Sequence, residues 1–126
     1  MIIQIYGIST AEDGAMVSGM GAEHVGLAAG MRTGMVDEAE CERVRDLFAA
    51  IVSPSKRLVL THDADVARLV RLVEVARPDI LHIKYNYEGT MGPDKVAELR
   101  RLLPGTSLMV SVPVDGPEAV DISRSY

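Results

Sequence analysis

The sequence has no tryptophan, one phenylalanine and one cysteine, and each scarcity removes a class of function. Without large aromatic rings there is no stacking platform for single-stranded nucleic acid. The lone thiol, Cys41, cannot close an internal disulfide, and a metal–thiolate centre needs more sulfur than one residue supplies. Its place in an amphipathic helical stretch reads as a buried structural thiol in a reducing compartment. Positive charge is also short. The 13 Lys and Arg against 18 Asp and Glu leave a net charge of −5, and the basic residues are scattered, so nucleic acid is not an expected partner. No apolar run approaches the roughly 18 residues of a membrane span, so no membrane crossing is expected either. The opening "MIIQIYG" carries neither a basic leader nor a cleavage site, which reads as a cytoplasmic protein that enters structure at once. Three histidines without a shared ligand spacing predict no metal site, and no cofactor is expected.

What is present is alternation. In a chain of 126 residues, long enough for one domain, β-branched runs and helical patterns follow each other about every 25 residues. Strands are predicted at 2–8, 23–29, 56–62, 79–86 and 108–114. A helix is predicted from Thr10 to about Met20, with Glu12 and Asp13 in the first turn where the helix dipole favours them. Asp37 caps a second helix whose Val44, Leu47, Phe48 and Ile51 recur at helical spacing. Asp63 or Asp65 starts the third, Pro93 opens the fourth, and a last one begins at Pro117. Methionines 16, 20, 31 and 35 read as core and loop filler. Five strand–helix units predict an α/β fold with a parallel sheet and helices packed on it.

The first of these strands carries a motif. "IYGISTAEDG" (5–14) followed by "GAEHVGL" (21–27) resembles the opening of the phosphoribosylanthranilate isomerase family, Lys-x-Cys-Gly-Ile-Thr, two residues, then Glu-Asp. The likeness runs through Gly7, Ile8, Ser9, Glu12 and Asp13, and on into Gly21, Ala22 and Gly26. It implies a (β/α)8 TIM-type barrel of about 200 residues or more, of which this chain holds about five units. The expectation is a barrel incomplete at its C-terminus. The alternatives are an open sheet closed by self-association, hence a homo-oligomer, or a flavodoxin-like layer. The resemblance also implies an Amadori-type aldose–ketose isomerisation in tryptophan biosynthesis, with a cysteine base on strand one and an aspartate acid on strand six.

Here the cysteine position holds Tyr6, and the acid's strand lies outside the 126 residues. A phenol with a pKa of about 10 is a poor base unless a cation lowers it. The family's second-loop arginine has no direct counterpart, since Arg32 comes about two positions early, and its histidine at the end of strand four falls on Lys84. Functional groups of parallel α/β sheets gather at the C-terminal strand ends. The candidates there are Tyr6 and Lys84 for catalysis, with Arg32, Asp63 and Asn86 for binding. Each has a plainer reading: Tyr6 as an amphipathic plug, Lys84 as a solvated cation, Asp63 as a helix cap, and His24 as a structural group on the opposite end of the sheet. The functions in play are a diverged or inactive isomerase-like protein, a non-catalytic module binding a small molecule such as a phosphorylated sugar or an aromatic acid, and a Schiff-base lyase using Lys84.

Overall fold

A computed structural model describes residues 1–84 and 91–126. Five strands alternate with five helices: β1 (Gln4–Ile5), α1 (Ala11–Gly19), β2 (His24–Ala29), α2 (Glu38–Phe48), β3 (Lys56–Thr61), α3 (Val66–Ala76), β4 (Ile80–Ile83), α4 (Pro93–Leu102), β5 (Ser107–Val110) and α5 (Ala119–Ser125). All strand pairs are parallel and the order is β1-β2-β3-β4-β5. Each crossover therefore steps one strand in the same direction, and a uniform right-handed connection places the helices on one face of the sheet. This is the (β/α) architecture predicted from the alternation.

Period two along the strands decides which residues meet the helices. Val25, Leu27, Ala29, Val59, Leu81 and Ile83 point to the helical side, where they pack with Val44 and Phe48 of α2, Leu69, Leu72 and Val73 of α3, and Val96 and Leu99 of α4. Cys41 sits in this core, and its burial pushes the thiol pKa up, in keeping with a structural role. The opposite, concave face carries Gln4 and Tyr6, His24 and Gly26, Leu58 and Leu60, Ile80 and His82, and Ser111 just beyond β5.

The helices begin where their caps place them. Thr10 and Asp13 form a capping box on α1, Asp37 accepts from the Glu40 N–H on α2, and Asp65 accepts from the Arg68 N–H on α3. Of the two aspartates considered for α3, the cap is therefore Asp65. Two expectations need correction. Methionines 16, 20, 31 and 35 are exposed and fill no core. The strands are also shorter than predicted: β1 pairs over two residues because Gly7, at φ +91°, turns the chain, and β5 ends with the partner it has in β4. The predicted 79–86 strand stops at Ile83, and its last two positions lie outside the described residues.

Candidate functional site

Tyr6 stands just past β1 on the concave face. Its ring lies across Gly26 of β2: a Cβ on Gly26 would meet Tyr6 Cδ1 at 2.8 Å, and Leu58 Cδ2 of β3 at 3.3 Å. Glycine at 26 thus makes room for the side chain at 6. The ring reaches over two strands to β4, where the phenol hydrogen-bonds His82 Nδ1, with the ring centroids 5.9 Å apart. His82 Nε2 lies 2.6 Å from Ser111 Oγ. On its other side Tyr6 accepts from Gln4 Nε2 at 3.0 Å, and Gln4 Oε1 lies 2.8 Å from His24 Nδ1. Five residues from β1, β2, β4 and the end of β5 are joined into one hydrogen-bonded chain across the concave face.

Burial shapes the chemistry of that chain. It raises the Tyr6 pKa, so the phenol keeps its proton, and it lowers the His82 pKa, so the imidazole is neutral at pH 7. A protonated phenol does not act as a base. It can donate a hydrogen bond and orient an imidazole.

The other predicted residues occupy separate places. Arg32 is exposed in a cavity of about 510 Å³ at the end of β2, with Thr33, Asp37, Glu40 and Arg43. Arg43 and the Gly30 N–H tie up the Glu40 carboxylate there, at 2.9 to 3.0 Å. Asp63 is only 1% exposed, and both its oxygens are engaged: Oδ2 accepts from the Val36 N–H and Arg68 Nε, each at 2.7 Å, and Oδ1 from Arg68 and the Asp65 N–H. Burial alone would raise its pKa, yet the Arg68 side chain and the two backbone donors hold it below the ordinary value. Asp63 thereby fastens the β2–α2 loop to α3.

Lys84 is exposed at the end of β4, and its N–H continues the ladder to Thr61 O at 2.9 Å. Its charge reaches His62, whose pKa is lowered first by burial and then by Lys84. His62 lines a second cavity, of about 610 Å³, with Gly34, Asp63, Arg68 and Lys95, and its Nε2 is buried with no hydrogen-bond partner among the described residues. Asn86 lies outside the described residues. Among the described residues no hydrogen bond or ion pair joins Tyr6, Arg32, Asp63 and Lys84 to one another, and no cluster of His, Cys, Asp and Glu has the makings of a metal site.

His82 and Ser111 are the polar partners that sequence reasoning missed. His82 alternates with Ile80 and Lys84, so its facing was readable, but Ser111 lies 29 residues further on and meets it only through the β4–β5 register. His24, expected to be structural, anchors the far end of the same chain.

The fold is similar to part of the barrel of a phosphoribosyl anthranilate isomerase. The crystal structure of that enzyme from Thermus thermophilus superposes with a TM-score of 0.74 at 21% sequence identity, over 97% of this chain and 58% of that one. This chain thus spans a little over half the length of the barrel it matches. No family model and no curated protein sequence matches it.

Proposed function

We propose that this chain is a phosphoribosylanthranilate isomerase-like barrel segment that binds a small phosphorylated sugar or aromatic acid at the C-terminal mouth of its sheet, and that Tyr6 does not serve as an Amadori base. One observation carries the second half of this reading: the side chain in the frame of the family's cysteine is a phenol bonded to Gln4 and His82, with its pKa moved away from the range a base needs. The first half is supported by the fold likeness and by two cavities at the strand ends, each with basic side chains: Arg32 and Arg43 in one, Arg68 and Lys95 in the other. A Schiff-base role for Lys84 has less support, because an amine that attacks carbonyls needs an apolar site to shed its proton and Lys84 is exposed.

The test titrates ribose 5-phosphate and anthranilate separately into ¹⁵N-labelled protein, and assays isomerisation of phosphoribosylanthranilate with the native chain and Tyr6→Cys. The expected result is saturable shifts near Arg32, Arg68 or Lys95 and no turnover by the native chain. Turnover by the native chain that Tyr6→Phe abolishes would overturn the reading of Tyr6. Absence of saturable shifts with either compound would overturn the binding assignment.

A further inference from the structure

The flank of the molecule formed by β1 and α1 gathers apolar side chains at the surface. Ile2, Ile3, Ile5 and Tyr6 along the first strand, and Met16 and Met20 on α1, are between 37% and 81% exposed. Period two puts Ile3 and Ile5 on the helical side of the sheet and Ile2 and Tyr6 on the concave side. On α1, Gly14 lies against Ile51 and Ser18 Oγ accepts from the Val52 N–H, so this face of the helix looks towards the end of α2. Val17 packs on the core. Met16 and Met20, one turn apart, lie further round in the same sense, past Val17 and away from α2. They therefore overhang the side on which β1 is the outer strand.

The backbone of that strand has a definite free side. Ile3 O accepts from the Glu23 and His24 N–H groups, each at 3.1 Å, so the odd residues of β1 turn their backbone groups towards β2. Those groups alternate sides along a strand, and the Gln4 N–H and C=O consequently face the open edge, where no strand lies opposite among the described residues. A second copy that meets this edge antiparallel, with Gln4 of one copy opposite Gln4 of the other, exchanges two hydrogen bonds about a two-fold axis. The register sets Ile3 opposite Ile5 and Ile2 opposite Tyr6, each pair twice, so the exposed apolar residues of this strand meet one another. Centring the pairing on Ile3 instead sets Ile2 against Gln4, and centring it on Ile5 sets Ile3 against Gly7. Only the Gln4 register matches apolar to apolar on both faces.

We propose that the β1–α1 flank is the interface of a two-fold symmetric dimer of this chain, in which the two β1 strands pair antiparallel about Gln4 and α1 packs against α1 of the second copy. An axis perpendicular to the sheet keeps both sets of helices on one side. Because α1 connects β1 to β2 and lies over that pair, the two α1 helices come about two strand spacings apart, or roughly 10 Å, which is the distance at which helices pack. Met16 and Met20 of each copy then close over Ile3 and Ile5. At about 200 Å² for a large side chain fully exposed, these six residues offer on the order of 600 Å² from each copy. That approaches the roughly 800 Å² per partner of a stable complex, before the paired backbone is counted. The β5 edge offers no such match, since Leu108 and Val110 already pack against the chain's own core.

Sedimentation equilibrium of the full chain over a wide concentration range should give a mass that rises to a plateau at twice 13.6 kDa. An isotope-filtered nuclear Overhauser experiment on a mixture of ¹³C-labelled and unlabelled chain reads contacts between copies alone. It should show Ile3 against Ile5, and Ile2 against the Tyr6 ring. Met16→Lys/Met20→Lys should raise the dimer dissociation constant on the order of tenfold or more, with circular dichroism unchanged because both side chains are exposed. Contacts between copies that run from β1 to Leu108 or Val110, or a mass that climbs past two chains without a plateau, would overturn the two-fold arrangement. A mass of one chain at the highest concentration would overturn the interface itself. An unchanged dissociation constant in a folded double variant would overturn the packing of α1 on α1. Should the double variant fail to fold, the filtered contacts of the native chain decide the question.

Discussion

The motif that carries the resemblance is largely local architecture. Gly7 takes φ +91° to turn the chain out of β1, Ser9 and Thr10 bond the Asp13 carboxylate in the cap of α1, and Gly26 clears the space that residue 6 occupies. These requirements were readable in the sequence because each acts within a few residues or through the absence of one Cβ. The pairing of Tyr6 with His82 was not, since His82 is 76 residues away and it is the folded sheet, with two strands between β1 and β4, that brings the two together. The dependence on Gly26 can be tested directly. Gly26→Ala places a methyl 2.8 Å from Tyr6 Cδ1, so the ring must shift from its place over residue 26. We expect a loss of about 1–3 kcal/mol in chemical denaturation, as for other overpacked sites, and loss of the nuclear Overhauser contacts between Tyr6 and His82. If those contacts persist in a stably folded variant, the close approach is not what keeps residue 26 small.

His82 supplies a second prediction at the same scale, with a definite sign. Its pKa in the folded chain is depressed by burial below the 6.5 of a free imidazole, so protonation favours the unfolded state. The stabilisation is complete above pH 6.5 and is lost as pH falls through the lower folded value. His62 is depressed in the same direction, first by burial and then by Lys84, and contributes its own part. Urea melts between pH 8 and pH 5 should therefore show stability falling below pH 6.5, with the fall reduced in His82→Gln and reduced further in a His62→Gln/His82→Gln double variant. A pH profile identical in all three would show that neither imidazole is held neutral by the fold.

At the scale of elements, the helices were the most legible part and the strand ends the least. The spacing of Leu69, Leu72, Val73 and Ala76 on α3 is helical, and those four residues are the buried ones. Strand ends depend on partners instead, which are chosen by residues far away in the chain. Asp63 shows the same limit. Its neighbourhood reads as a cap, but its partners are Val36 in the β2–α2 loop and Arg68 of α3, and only the packed structure shows that the cap itself is Asp65. The C-terminus of α3 carries a local conflict that makes a prediction. Arg77 ends the helix in the left-handed region, at φ 50°, and donates its N–H to Val73 O at 2.9 Å. A residue with a Cβ is strained there, and glycine is not. Because the Arg77 side chain is exposed, Arg77→Gly should raise stability by about 0.5–1 kcal/mol, measured as a shift of the urea midpoint at constant slope. A lowered midpoint would mean that the arginine side chain does more for α3 than its backbone angle costs.

At the scale of the molecule, the five strands of the described residues form one sheet in which β1 and β5 do not pair with each other. Among the described residues β1 has only β2 as a neighbour and β5 only β4, so each outer strand presents unpaired backbone donors and acceptors. In a closed eight-stranded barrel these two edges are covered by further units. Alternation in the sequence disclosed the parallel sheet and the one-sided helices, but closure is decided by the number of units present. The β1 edge is the stickier of the two. Ile2, Ile3 and Ile5 are 67%, 45% and 38% exposed there, beside a strand of only two paired residues. This chain, on its own in solution, should therefore self-associate through the β1 edge. Sedimentation velocity across a hundredfold range of concentration should show the weight-average mass rising with concentration. Lysine next to an exposed strand edge blocks pairing with another chain, so Ile5→Lys should hold the mass near that of one 13.6 kDa chain. Its far-ultraviolet circular dichroism should stay unchanged, because the Ile5 side chain is exposed and the backbone pairing with Val25 does not depend on it. A mass that stays at one chain throughout for the native protein would show that the apolar β1 flank is tolerated in water. A mass that rises equally in Ile5→Lys would place the contact elsewhere, with the β5 edge as the other unpaired strand.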